Sequence, residues 1–181
     1  ASSMIPPLVL DVKENERILD LCAAPGAKTS QISAMMKNKG VIVANDITHK
    51  RLKALRGNLQ RCGVVNTIVT KMYGEIFYKI NLKFDKILLD VPCTATGTLN
   101  PRILKETSAS SIRILSKLQK RLLVSASKCL ENNGIIVYST CSLEPEENEE
   151  NIDFAIRELG LRTKKIEIEN LPYIRALTEW D

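Results

Sequence analysis

The sequence predicts an α/β fold: a mostly parallel sheet with helices on both faces. Three observations predict it. Short apolar runs rich in Ile, Leu and Val alternate with longer segments of helical periodicity. Those runs are continuous rather than alternating, as expected of strands buried on both faces. The chain has 181 residues, a one-domain length that buries roughly 70% of its unfolded surface and so holds a core without staples.

The elements follow in order. Arg17-Ile18-Leu19-Asp20-Leu21 reads as a buried strand, and Lys28 to Lys37 as a helix. Val41-Ile42-Val43-Ala44 is a second strand. Thr48 to Cys62 is a helix with Leu52, Leu55, Leu59 and Cys62 on one face. Thr67-Ile68-Val69 and Lys86-Ile87-Leu88-Leu89 are further strands. The longest helix is expected over Ser110 to Asn132, with Ile112, Leu115, Leu118, Leu122, Ala126 and Cys129 as its buried stripe and Asn133-Gly134 as its stop. Ile135 to Tyr138 is a strand. A last helix is expected from Pro145, a favoured first helical position, with early glutamates at the positive end of its dipole. Its inner face is Ile152, Ala155, Ile156 and Leu159.

Composition narrows the function. No apolar run approaches the roughly 18 residues of a membrane span, and the first residues lack a secretion pattern. The five cysteines, Cys22, Cys62, Cys93, Cys129 and Cys141, contain no C-x-x-C pair, and His49 is the sole histidine. A structural metal and a disulfide framework are therefore disfavoured, and the chain reads as reduced and intracellular. The net charge is +5, unevenly spread. Ile47 to Gly74 holds six bases and no acid; Pro101 to Leu130 holds seven bases against Glu106 alone; Glu131 to Asn151 holds six glutamates and no base. Such segregation fits either a polyanionic partner or a set of solvated helix faces.

Three chemically loaded stretches sit where strands end, the place where ligands bind in open α/β sheets. The first, Asp20 to Thr29, is neither a Walker loop nor a dinucleotide fingerprint, because Gly26 is its only glycine. Its small residues still let a ligand approach the backbone at a helix N-terminus, where amides bind a carboxylate. Asp46 lies 26 residues after Asp20, at the end of the second strand, where a carboxylate holds ribose hydroxyls or caps the next helix. A ligand with one carboxylate and one ribose fits S-adenosylmethionine. The second stretch carries Asp90 and Cys93, the third Cys141. Taken alone, each thiol is open to being a bystander or a nucleophile.

In order and in spacing, CAAPGAKT (Cys22 to Thr29), DVPCTATGT (Asp90 to Thr98) and STCSLEPEEN (Ser139 to Asn148) resemble the RNA cytosine-C5 methyltransferases of the Nop2/NSUN/RsmB (Sun) family. The likeness covers about residues 1 to 160. It implies a Rossmann-like class I fold that uses S-adenosylmethionine to methylate cytosine C5 in tRNA or rRNA. It implies Cys141 as the nucleophile that adds to cytosine C6, Cys93 as the assistant in proton removal or product release, and Asp90 as a contact to the ring. It places the methionine part of the cofactor against Cys22, Ala23, Ala24, Pro25, Gly26, Ala27 and Lys28. The ribose falls to Asp46, with Arg51 beside it, and the region near the amino group to Asp90.

Two residues depart from the family pattern. Ala27 stands where a second glycine is usual, and Tyr73 stands where an aspartate near the adenine is expected, so the adenine either stacks on Tyr73 or loses a contact. Glu146, Glu147 and Asn148 read as capping the last helix and bracing the cysteine loop. The chain reads as a single catalytic domain over 1–181, truncated at both ends, its accessory RNA-binding domain absent. The basic helices at 47–62 and 110–130 are expected to meet RNA; no membrane and no metal partner is expected. The implied location is the cytoplasm, or the nucleolus for a eukaryotic rRNA enzyme. Two other readings compete: a non-catalytic module that holds RNA or a partner, and a small-molecule methyltransferase, against which the paired thiols argue.

Overall fold

The computed structural model describes residues 2–166 and residue 168. These residues divide into two compact bodies. The first comprises the chain up to Val91 together with Leu122–Ser139; the second comprises Pro92–Arg121 and the chain from Thr140.

The first body holds a parallel sheet whose five strands lie in the order β3-β2-β1-β4-β5. They are β1 (Arg17–Asp20), β2 (Val41–Asp46), β3 (Thr67–Lys71), β4 (Phe84–Asp90) and β5 (Leu130–Ser139). Every pairing is parallel. The predicted strands are all present. The sequence order reverses at β1, so the ends of β1 and β4 open side by side at the switch point where such sheets bind ligands.

Helices α1 (Ile5–Leu10), α2 (Ala27–Met35) and α3 (His49–Arg61) accompany the sheet. Leu10, Val12, Ile18, Ile32, Met36, Ile42, Leu88 and Val137 form one buried cluster; Leu52, Leu55 and Leu59 of α3 form a second with Ala23 and Ala44. Thr48 caps α3 by accepting from the Arg51 amide. Cys62, expected on the buried stripe of α3, is exposed, because the helix ends at Arg61 and the chain turns away. Lys86 on β4 is buried against the entry to β1, donating to the Asp11 carbonyl at 2.5 Å and pairing with Glu16 at 3.1 Å.

The structure revises the stretch after the long helix. α5 (Ala109–Cys129) stops at Cys129, and Leu130 already pairs with Phe84. The register then shifts, so that Lys86 faces Ile135. Asn133-Gly134 is therefore an irregularity within β5 rather than a helix stop. Asn133 is left-handed (φ 64°), and a Cβ on Gly134 would lie 2.8 Å from the Asp85 carbonyl oxygen, so only glycine fits there.

The second body carries α4 (Pro101–Glu106), the part of α5 up to Arg121, and α6 (Glu149–Leu159). Here too the expectations need revision. Pro145 opens a single 3₁₀ turn, Pro145–Glu147, and α6 begins only after Asn148, whose backbone (φ −118°, ψ −90°) breaks the path. On α6, Ala155 is buried, but Ile156 is exposed. On α5, Leu122, Ala126 and Cys129 are buried as expected. Ile112, Leu115 and Leu118 are only half-buried, and Ser116 and Gln119 take the buried places. An apolar-stripe reading misses that face because its residues are polar and partnered.

Candidate functional site

In the first body, the loop after β1 folds back on itself. The Ala23 amide donates to the Asn45 carbonyl at 2.8 Å, and the Gly26 amide donates to the Ala23 carbonyl at 2.7 Å. Gly26 precedes α2 with φ 100°, and a Cβ there would lie 2.7 Å from Leu55 Cδ1. A side chain at this position is both strained and obstructed. The loop and its surroundings enclose a small cleft of about 120 Å³ lined by Ser3, Asp20, Cys22, Ala23, Ala24, Pro25, Ala27, Lys28 and Asp90. The loop residues expected at a ligand thus do gather, with Gly26 lying behind the lining.

Asp90 ends β4 and uses both carboxylate oxygens. Lys28 Nζ approaches Oδ2 at 2.5 Å, and Ser139 Oγ donates to Oδ1 at 2.7 Å. Asp46 and Arg51 pair at 2.8 Å. Both then hold Ala24: its amide donates to Asp46 Oδ2 and its carbonyl accepts from Arg51. Asp46 is buried, and its Oδ1 also accepts from the Ile47 amide at 2.8 Å. Tyr73, in the bend before the turn Gly74–Ile80, is 65% exposed and does not line the cleft.

Two cleft residues, Ser3 and Asp20, escaped the sequence reading. Asp20 is 1% exposed; its Oδ2 accepts from Thr29 Oγ1 at 2.7 Å, while its Oδ1 is buried without a hydrogen-bond partner. Burial pushes its carboxyl up to about 7, with the Asp90 and Asp46 charges adding and the Thr29 hydroxyl and Lys28 opposing. The available signal was a carboxylate ending an otherwise apolar buried strand, a placement that is costly unless used. Burial, with Asp20 and Asp46 nearby, also drives the Cys22 thiol up, so it stays protonated and inert.

A pH dependence follows. The folded state holds the Asp20 proton up to about pH 7, whereas an unfolded aspartate loses it near pH 4. Stability is therefore greatest at acid pH for this group, declines as pH rises through that window, and levels off above it. The ceiling is about 4 kcal/mol. Asp20→Asn is expected to remove this slope, so that its melting temperature gains on the unmodified protein as pH rises from 5 to 8 in paired thermal melts.

In the second body, the two predicted thiols meet. Cys93 Sγ and Cys141 Sγ lie 2.9 Å apart, and the Cys141 amide donates to Cys93 Sγ at 3.2 Å. The Gly97 amide donates to the Cys141 carbonyl at 2.9 Å, and a Cβ on Gly97 would lie 2.9 Å from that same oxygen. Burial pushes the Cys93 thiol up to about 12, the Cys141 contact adding to it. At neutral pH Cys93 is thus a protonated thiol facing a more exposed one. Cys129 is buried and pushed up to about 11 by that burial. Among the described residues, no group of three His, Cys, Asp or Glu is arranged to hold a metal ion, and no helix is long and apolar enough to cross a membrane.

Comparison with known proteins gives consistent matches. A family model described as 16S rRNA methyltransferase RsmB/F matches residues 7–174. The tRNA (cytosine(49)-C(5))-methyltransferase of Pyrococcus abyssi is 42% identical, over 100% of this chain and 58% of its own length. The 28S rRNA (cytosine(4447)-C(5))-methyltransferase of Homo sapiens is 44% identical over 90% of this chain and 21% of its own. Among solved structures, NSun6 from Pyrococcus horikoshii with SFG superposes with a TM-score of 0.82 at 40% identity, covering 86% of this chain and 40% of that one. The chain therefore spans between about a fifth and three fifths of these relatives.

Proposed function

This chain belongs to the 16S rRNA methyltransferase RsmB/F family, and from that membership we propose that it methylates C5 of a cytosine in tRNA or rRNA, with S-adenosylmethionine as methyl donor. The observation that carries the reading is the Cys93–Cys141 contact of 2.9 Å. Most methyl acceptors need no thiol; cytosine C5, a poor nucleophile, does.

The cleft of the first body suits the methionine end of the cofactor. Asp20 Oδ1 offers an unpartnered buried acceptor to an ammonium group, and Cys22 to Lys28 supply backbone at a helix N-terminus. Asp46, braced by Arg51, is assigned to the ribose. S-adenosylmethionine supplies the electrophilic methyl group when bound.

Cys141, as thiolate, adds to C6 and makes C5 nucleophilic. Asp90 hydrogen-bonds the ring and stabilises the adduct. After C5 is methylated, a water molecule takes its proton, the C5–C6 double bond re-forms, and the C6–sulfur bond breaks to release Cys141 as thiolate. Cys93, held protonated, is suited to hydrogen-bond the departing sulfur, which favours its role in release. The exposed bases of α3 (Lys50, Lys53, Arg56, Arg61) and of the second body (Arg102, Lys105, Arg113, Lys117) are assigned to the RNA backbone.

The test is a covalent adduct. Cys93→Ala incubated with cellular RNA and S-adenosylmethionine is expected to give a shifted band on a denaturing gel that disappears in Cys93→Ala/Cys141→Ala. A band that survives loss of Cys141 assigns attack to another residue. The exposure of Tyr73, where an acidic residue is usual, favours a second reading: a module that binds RNA without turnover. RNA binding with no measurable affinity for S-adenosylmethionine is the outcome that selects it. On either reading, each exposed base removed from α3 is expected to lower the slope of log affinity against log salt by about 1, measured by RNA titration.

A further inference from the structure

We propose that the adjacent residues Glu147 and Asn148 are positioning residues that jointly set the separation of the Cys93 and Cys141 thiols, one holding each cysteine's flanks. The inference deepens the reading above and rests on it for its kinetic consequence alone.

Glu147 closes the 3₁₀ turn and is fully buried. Its carboxylate accepts from the Thr94 amide at 3.1 Å and 3.3 Å, from the Thr94 hydroxyl, and from Gln119 Nε2 at 2.8 Å. Gln119 Nε2 also donates to the Pro92 carbonyl at 2.9 Å. The residues on both sides of Cys93 are thereby tied to one carboxylate and one amide. Asn151 locks that amide in turn, donating to Gln119 Oε1 at 2.8 Å and to the Glu147 carbonyl at 3.1 Å.

Asn148 does the same for the other thiol. Its Oδ1 accepts from Thr140 Oγ1 at 2.6 Å, and its Nδ2 donates to the Ser142 carbonyl at 3.1 Å and the Glu144 carbonyl at 2.9 Å. Thr140 and Ser142 flank Cys141. Asn148 occupies the N-cap position of α6 yet makes no capping bond. An asparagine there normally accepts from the first helical amides; this one forgoes that bond to grip the cysteine loop. Thr94 Oγ1 and Ser142 Oγ, 3.0 Å apart, join the two loops directly. These Glu147 and Asn148 bonds fall on the residues that flank the two sulfurs, so the pair acts on thiol geometry.

The readout is the effective concentration of one thiol toward the other. The full chain is equilibrated in mixtures of reduced and oxidised glutathione, where two protein thiols and one oxidised glutathione give one Cys93–Cys141 disulfide and two reduced glutathiones. The disulfide is counted by mass spectrometry after alkylation. Glu147→Ala and Asn148→Ala are each expected to lower the effective concentration at least tenfold. Glu147→Gln, which keeps an acceptor oxygen for Thr94, is expected to recover most of that loss. Thr94→Val, which keeps the backbone amide and a similar volume, gives an independent arm with a smaller decrease if Glu147→Ala does not fold. The methylation kcat is expected to fall with these values while the KM for RNA holds. Effective concentrations within twofold of the unmodified protein overturn the proposal, even if melting temperatures drop, since that combination marks a purely structural role. Should the glutathione equilibrium shift as expected in a protein that never methylates RNA, the positioning role stands and the methyltransferase reading fails.

Discussion

Cys141→Ser is expected to lower kcat for cytosine methylation by at least about 10³-fold and to abolish the RNA adduct. A serine hydroxyl is close in size to the thiol, so the loops that hold position 141 should persist. What is lost is the nucleophile: at neutral pH a few per cent of ordinary thiols are ionised, and almost no serine hydroxyls are. The cleft proposed for the cofactor is lined by residues of the first body alone, so affinity for S-adenosylmethionine, measured by calorimetry, should stay within about twofold. Cys93→Ala should differ in kind. It keeps attack but slows release, so adduct accumulates during turnover. A Cys141→Ser variant that retains more than a tenth of the activity transfers the nucleophile's role to Cys93.

Asp90→Ala should show the second largest effect, and on two observables. Asp90 pairs with Lys28 and accepts from Ser139. Removing it leaves a Lys28 ammonium whose side chain is only 18% exposed without its carboxylate. A destabilisation of about 1–3 kcal/mol is expected, discounted from the fully buried case because both partners keep some water. Denaturant titration measures that part. The rate should fall by a further factor of about 10² to 10³, the usual cost of removing a group aimed at developing charge. Asp90→Asn separates the two. It keeps the shape and an acceptor for Ser139 and should recover part of the stability with little of the rate. Full activity in Asp90→Asn removes Asp90 from the ring.

Much of this was readable in the sequence because the relevant signals are local. Apolar runs gave the strands, and the parallel-sheet rule was enough to put Asp46 and Asp90 at strand ends. Two of the misses share a cause: they depend on partners far along the chain. Asn133-Gly134 looks like a helix stop until β4 is seen to fix the register. Ser116 and Gln119 look like exposed positions between apolar ones until Glu147 and Asn151, about thirty residues later, supply their hydrogen bonds. Asp20 carried a local signal, a carboxylate at the end of an apolar strand, and its burial and unpartnered oxygen give that signal its meaning. Glu147 and Asn148 were anticipated as braces for the Cys141 loop. That Glu147 reaches Thr94, beside the other cysteine, could not be read from a separation of more than fifty residues.

The proton on Asp20 also has a calorimetric signature. With a carboxyl that titrates at about 7, roughly half the molecules in a neutral solution carry a hydrogen there. A ligand that brings positive charge to Oδ1 favours the ionised form and drives that hydrogen into the buffer. The observed heat of binding then contains the buffer's own heat of protonation. Titrations in phosphate and in Tris at the same pH should therefore disagree, and the slope of observed heat against buffer ionisation heat counts the protons discharged. Asp20→Asn should bring the two buffers into agreement.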